Sequence, residues 1–113
     1  MQLSQAELTQ QNQQKYLISG IVDFSTVPGL LRQSSVFFTK GKASDDRPPD
    51  NRQVTIDLSQ VAECNSAALA LMLEIVKNAQ QKSIEVHFEN LPGTLLTIAK
   101  AYGVENEIRE LCK

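Results

Sequence analysis

Residues 54–89 read VTIDLSQVAECNSAALALMLEIVKNAQQKSIEVHFE, and the periodicities in this stretch decide the fold. Val54, Ile56 and Leu58 alternate with Thr55 and Asp57, the period of two that buries one face of a strand, and the strand is expected to end at Ser59. From Ser66 to Gln81 nearly every residue is a good helix former, with Asn65 or Ser66 placed as the N-cap. Ile84, Val86 and Phe88 then alternate with Glu85 and His87, which predicts a second half-buried strand. Strand, helix and strand in this order imply parallel pairing, with the helix packed on the sheet.

Outward from this unit the pattern continues. Tyr16 to Phe24 is rich in β-branched and aromatic residues and predicts a strand, with Gly20 as a bulge or a point of close approach. Ser25 and Thr26 are cap types, Pro28 suits a first helical turn, and Leu30, Leu31, Ser34 and Phe38 recur at helical spacing, so a helix should run to about Lys40. Residues 91–103, LPGTLLTIAKAYG, predict a helix closed by Gly103, and Val104, Ile108 and Leu111 a last amphipathic turn or two. Residues 1–13, rich in Gln, read as a tail or a weak edge strand. The run 41–53, GKASDDRPPDNRQ, has Ala43 as its single apolar residue and reads as a long polar loop. The expectation is one α/β domain over residues 1–113, with a mixed sheet of about four strands flanked by helices.

Composition narrows the class of function. With 42% hydrophobic and 21% charged residues, the chain falls among ordinary globular domains able to build a core. A formal charge of −2 with 11 scattered Lys and Arg offers no field for a phosphate backbone. Cys64 and Cys112 lack metal-ligand spacing and read as reduced thiols of a cytosolic protein, with no metal or cofactor indicated. The start of the chain shows no signal-peptide pattern, and no apolar run approaches the roughly 20 residues of a membrane span, so a cytoplasmic protein is expected.

The helix from Ser66 changes character along its length. Glu74, Lys77, Asn78 and Gln81 mark a solvent face in its second half, while Leu69, Met72, Leu73 and Val76 mark the face toward the sheet. Projecting the solvent face back by three, four and seven residues reaches Leu71, Ala70 and Ala67, none of them polar. Bordered by Asn65 and Ser66, this small apolar patch reads either as a surface that another protein covers or as a helix start buried under the loop 90–92 or the C-terminal turn. Ser66 likewise has two readings: its hydroxyl caps an orphan helix N–H, or it accepts a phosphate that the helix N-terminus would stabilise.

Signals for catalysis are sparse. His87 alternates outward with Glu85 and has no nucleophile or metal-ligand companion at a recognisable spacing. Cys64, just ahead of a helix, reads as a small packed thiol rather than a nucleophile, and Asp57 and Glu63 form no second signature of hydrolysis. The five glycines make no phosphate-cradling motif. A binding module is the more economical reading than an enzyme.

The segment from 53 to about 104 resembles the STAS family, whose pattern is a strand ending Asp-Leu-Ser, a short loop, then Asp-Ser/Thr-small-Gly-Leu opening a helix. The resemblance implies a small sheet flanked by helices and a protein-docking role without catalysis. Within the family, TIDLSQV, the LAL run and LTIAKAYGVE look most like the small subunit of Mla phospholipid-transport ABC systems, which implies that the partner is the cytoplasmic ATPase (MlaF-like) and that membrane association is only indirect. Related anti-sigma factor antagonists carry Asp-Ser-Ser-Gly where this chain has Asn65, Ser66, Ala67 and Ala68. The phosphoacceptor position of those relatives falls on Ala67, which cannot take a phosphate, leaving Ser66 as the alternative acceptor. The hydroxyl that transporter subunits keep maps to Ser66. By resemblance, then, Ser66 would contact the ATPase, with Asn65, Ala67, Ala70 and Leu71 around it and Glu74 at the rim.

Overall fold

The computed structural model describes residues 5–12, 14–40 and 52–112. Their order is β1 (Ala6–Asn12), β2 (Lys15–Val22), α1 (Val27–Lys40), β3 (Arg52–Cys64), α2 (Ala67–Gln80), β4 (Ile84–Glu89), α3 (Gly93–Ala101) and α4 (Glu105–Glu110). The four strands lie in sequence order, β1 antiparallel to β2, and β2, β3 and β4 mutually parallel. Two successive strand–helix–strand units running in one direction across a sheet place their helices on one face. The burial pattern agrees. Tyr16, Ile18, Val22, Val54, Ile56, Leu58, Ile84, Val86 and Phe88 join Leu30, Ile75, Leu95, Ala99 and Ile108 of the helices in a single core. The alternate strand residues, among them Ser19, Thr55 and Glu85, are half-buried or exposed on the opposite face, with Asp57 as a buried exception.

α1 is fixed to β2 by aromatic packing. The Tyr16 ring lies 5.2 Å from Phe37 in a tilted arrangement and 6.5 Å from Phe38 edge-on, geometries that add to the burial of these large side chains. Gln33 of α1 accepts a hydrogen bond from the Leu8 N–H at 3.0 Å, tying the helix to edge strand β1. At the other edge the Phe88 N–H donates to the Leu111 carbonyl at 2.7 Å, so the C-terminal turn covers part of β4.

Three local expectations need correction. β3 runs to Cys64 instead of stopping at Ser59, because it carries extra residues against β2: Leu17 pairs with Asp57 but Ser19 with Gln60, and Gly20 with Val61 but Ile21 with Glu63. Each bulge breaks the two-residue alternation, so the sequence pattern fades while the strand continues. β2 ends at Val22, and Phe24 belongs to the turn that follows. Arg52 and Gln53, expected in the polar loop, open β3, and residues 41–51 of that loop lie outside the described residues. Of residues 1–13, Ala6–Asn12 form β1.

The open face carries a polar group centred on Asp57. Its Oδ1 accepts from the Ser59 N–H at 2.8 Å and from the Asn90 amide at 3.1 Å, while Lys15 pairs with Glu89 at 2.8 Å in the neighbouring strands. Asn90 holds a φ of 58°, a left-handed conformation that Asn tolerates better than most residues. Burial pushes the Asp57 carboxyl up, but the Ser59 N–H, the Asn90 amide, the Ser59 side chain and the charge of Lys15 together hold it below the ordinary carboxylate range. A lowered native pKa means that the folded state favours the ionised form. That stabilisation is present above the unfolded value of about 3.9 and is lost as pH falls through the native one. Chemical unfolding from neutral pH down to about pH 2.5 should therefore show wild type losing stability more steeply than Asp57→Asn. Parallel pH profiles for the two proteins would remove Asp57 from this role.

Candidate docking site

β2 and β3 end together, and α2 starts where they do. Val22 and Cys64 are register partners, and the Asn65 N–H donates to the Val22 carbonyl at 3.3 Å. Asn65 then turns the chain into the helix: its Oδ1 accepts from the Ala67 N–H at 2.8 Å and its carbonyl from the Ala68 N–H at 3.0 Å. Ser66 is already helical, with φ −60° and ψ −19°, and its hydroxyl makes no capping hydrogen bond. Of the two residues expected as the cap, Asn65 fills the role, its side-chain oxygen satisfying an orphan N–H of the first turn, and Ser66 does not. The Ser66 hydroxyl is left half-buried at the helix start.

Along α2 the structure separates the expected contact residues. Asn65, Ala70 and Glu74 are exposed. Ala67 and Leu71, at 1% and 2% exposure, are not, and cannot meet a partner in this conformation. Leu71 lines, with Ala68 and Met72, the same buried void as Pro92 and Leu95, so here the helix is covered by the segment that follows β4. Ala67 is the first residue of the helix and is buried there. Leu73, expected against the sheet, is instead 47% exposed. The outward line is the one that steps by four, from Lys77 to Leu73 and from Glu74 to Ala70. The candidate site is thus an exposed strip of Ala70 and Leu73, with Asn65 and Ser66 at its upper end and Glu74 and Lys77 at its lower end.

Other candidate groups do not converge. Asp57 and Glu63 lie on one strand six residues apart, about 20 Å at the rise of a strand, beyond the roughly 5–9.5 Å of a working carboxylate pair. His87 is half-buried, where a solvent-facing side chain was expected. Its Nε2 lies 3.0 Å from Glu85 Oε1, and its Nδ1 is buried without a hydrogen-bond partner. Burial pushes the Cys64 thiol up, and that of Cys112 also, despite the nearby Arg109 charge, which is opposite to the activation a nucleophile requires. Among the described residues no three His, Cys, Asp or Glu side chains gather as metal ligands, and no helix is long and apolar enough to cross a membrane.

Sequence reasoning missed Leu73 and Phe24. Phe24 is 70% exposed in the β2–α1 turn. Its signal lay in the cap types Ser25 and Thr26, which already mark a helix entry one residue later and leave no room for Phe24 in the strand.

Comparison with known proteins places the fold. The structure superposes on the anti-sigma factor antagonist SpoIIAA in its unphosphorylated form with a TM-score of 0.64, at 12% identity, over 90% of this chain and 84% of that one. It also superposes on an anti-sigma factor antagonist from Mycobacterium paratuberculosis with a TM-score of 0.59, at 15% identity, over 93% and 82% of the two chains. No match was found among curated proteins. A family model described as "Mlab, STAS domain" matches residues 9–111, which spans every helix and all but the first residues of β1. The chain therefore belongs to the Mlab-type STAS domain family.

Proposed function

We propose that this protein is a non-catalytic cytoplasmic docking subunit that binds the ATPase of a Mla-type phospholipid ABC transporter, and so reaches the membrane only through that complex. The observation that carries the reading is the exposed strip of Ala70 and Leu73 on α2. Two apolar side chains, one of them small enough for a partner backbone to approach closely, stand on a helix anchored by Ile75 and Met72 in the core. Asn65, Ser66, Glu74 and Lys77 give it the polar rim usual for a protein interface. The Mlab-type family match supports the choice of partner. Ala67 supports it too, since it has no hydroxyl for a kinase switch.

A second reading, an anti-sigma factor antagonist, draws its support from the fold shared with two such proteins. It would have to work through Ser66.

One experiment separates the two. The tagged chain and its Ala70→Glu variant are each mixed with the purified Mla-type ATPase of the same organism, and in a second arm with an anti-sigma factor kinase and ATP. Ala70→Glu should lose the ATPase while keeping a wild-type circular dichroism spectrum, because position 70 faces water and a charge there costs the fold little. Retention of the ATPase by both forms would remove the docking strip. Phosphate on Ser66 with release of the kinase would establish the second reading.

A further inference from the structure

The turn that carries Phe24 is built to hold it out. Asp23 Oδ1 accepts from the Ser25 N–H at 2.9 Å, the Ser25 hydroxyl at 2.6 Å and the Thr26 N–H at 3.1 Å. The Asp23 N–H in turn donates to Thr26 Oγ1 at 2.9 Å, and the Thr26 hydroxyl donates to the Ile21 carbonyl at 2.9 Å. Both flanks of Phe24 are thereby fixed to the end of β2 and the start of α1, yet the ring itself is 70% exposed, the most exposed large apolar side chain among the described residues. An aromatic ring on a preorganised turn is the kind of group that anchors an interface, because little ordering remains to be done on binding.

Its surroundings indicate what it meets. Next to the turn lies a shallow depression of about 410 Å³, lined by Ile21, Asp23, Ala62, Glu63 and Asn65 on the strand ends and by Thr94 of α3. Glu63 gives this floor an acidic side chain, and among the described residues no Lys or Arg lines it. Asn65 belongs both to this depression and to the start of α2, so the surface is continuous with the docking strip.

Resting on the docking reading above, we infer that Phe24 is the anchor of the same interface. It inserts into an apolar pocket of the ATPase that has an arginine or lysine at its lip, and that cation settles over the depression beside Glu63. The contact area then runs from the β2–α1 turn across the strand ends to Ala70 and Leu73.

Isothermal titration and stopped-flow association of the purified full chain with the purified Mla-type ATPase test this directly, using wild type, Phe24→Ala, Glu63→Lys and Ala70→Glu, each first checked for an unchanged melting temperature. Phe24→Ala should weaken binding by about 30-fold or more, as truncation of an interface anchor does. Glu63→Lys should slow association and flatten its dependence on salt. Loss of binding in Ala70→Glu together with wild-type affinity in Phe24→Ala would overturn the anchor while leaving the docking strip in place. Unaltered association of Glu63→Lys would overturn the basic lip, and failure of the wild-type chain to bind the ATPase at all would remove strip and anchor together.

Discussion

Replacing Gly20 with alanine is expected to lower the melting temperature by about 8–16 °C, read by circular dichroism, for a change of one methyl group. Two independent causes act at this position. Gly20 has a φ of +95°, a region that side chains rarely enter, and a Cβ built there would overlap the carbonyl oxygen of Gln5 and press on the Ala6 Cα. Neither neighbour can yield, since Gln5 and Ala6 are backbone held in place: the Ile21 N–H donates to the Gln5 carbonyl at 2.8 Å, and Ala6 is the register partner of Gly20. A left-handed conformation costs a residue with a Cβ roughly 1–2 kcal/mol, and overpacking against fixed backbone costs about 1–3 kcal/mol more, so a total near 2–4 kcal/mol is expected. The matching control is Gly93→Ala, where nothing lies within 4 Å of the added methyl and the backbone is helical. That variant should be neutral or slightly more stable. Equal melting temperatures for the two alanine variants would show that β1 is not held against Gly20 as described.

The same glycine illustrates what sequence could reveal. A lone glycine inside a strand pattern already pointed to close backbone approach, though only the structure shows that the approaching segment is the start of β1. The parallel unit over 54–89 was legible because Val54, Ile56, Ile84, Val86 and Phe88 alternate cleanly, and because α2 contains neither Gly nor Pro. The far half of β3 was not legible: its two bulges against β2 scramble the alternation that signals a strand. The site was half legible. Asn65, Ala70 and Glu74 stand where a partner can reach them, but an apolar residue at a helix start carries no mark of which way it points. Leu71 and Leu73 are chemically identical, and only the placement of Pro92 and Leu95 decides that one is covered and the other is not. Phe24 was obscured by its own β propensity, which extended the strand by two residues into a turn defined by Asp23 and Thr26.

That division between Leu71 and its neighbours yields the sharpest contrast. Leu71→Glu and Ala70→Glu place the same carboxylate on adjacent residues of one helix, about 100° apart around its axis. At position 71 the side chain is 2% exposed and its surroundings are apolar, so the charge has neither water nor a cation to receive it. The variant loses the burial of a leucine, roughly 2–3 kcal/mol, and also incurs the burial of a polar group without a partner, several kcal/mol more unless the carboxyl takes up a proton. Against a total stability of about 5–15 kcal/mol for a domain of this kind, Leu71→Glu should be largely unfolded or melt more than about 15 °C below wild type, and should recover in part as the pH is lowered toward that of a neutral carboxyl. Ala70→Glu should melt within a few degrees of wild type at every pH. Thermal melts of the two variants at about pH 7 and pH 5 decide the matter. If Leu71→Glu were as stable as Ala70→Glu, the helix would be rotated from the phase described, and the strip of Ala70 and Leu73 would no longer be the exposed face of α2 on which the proposed docking rests.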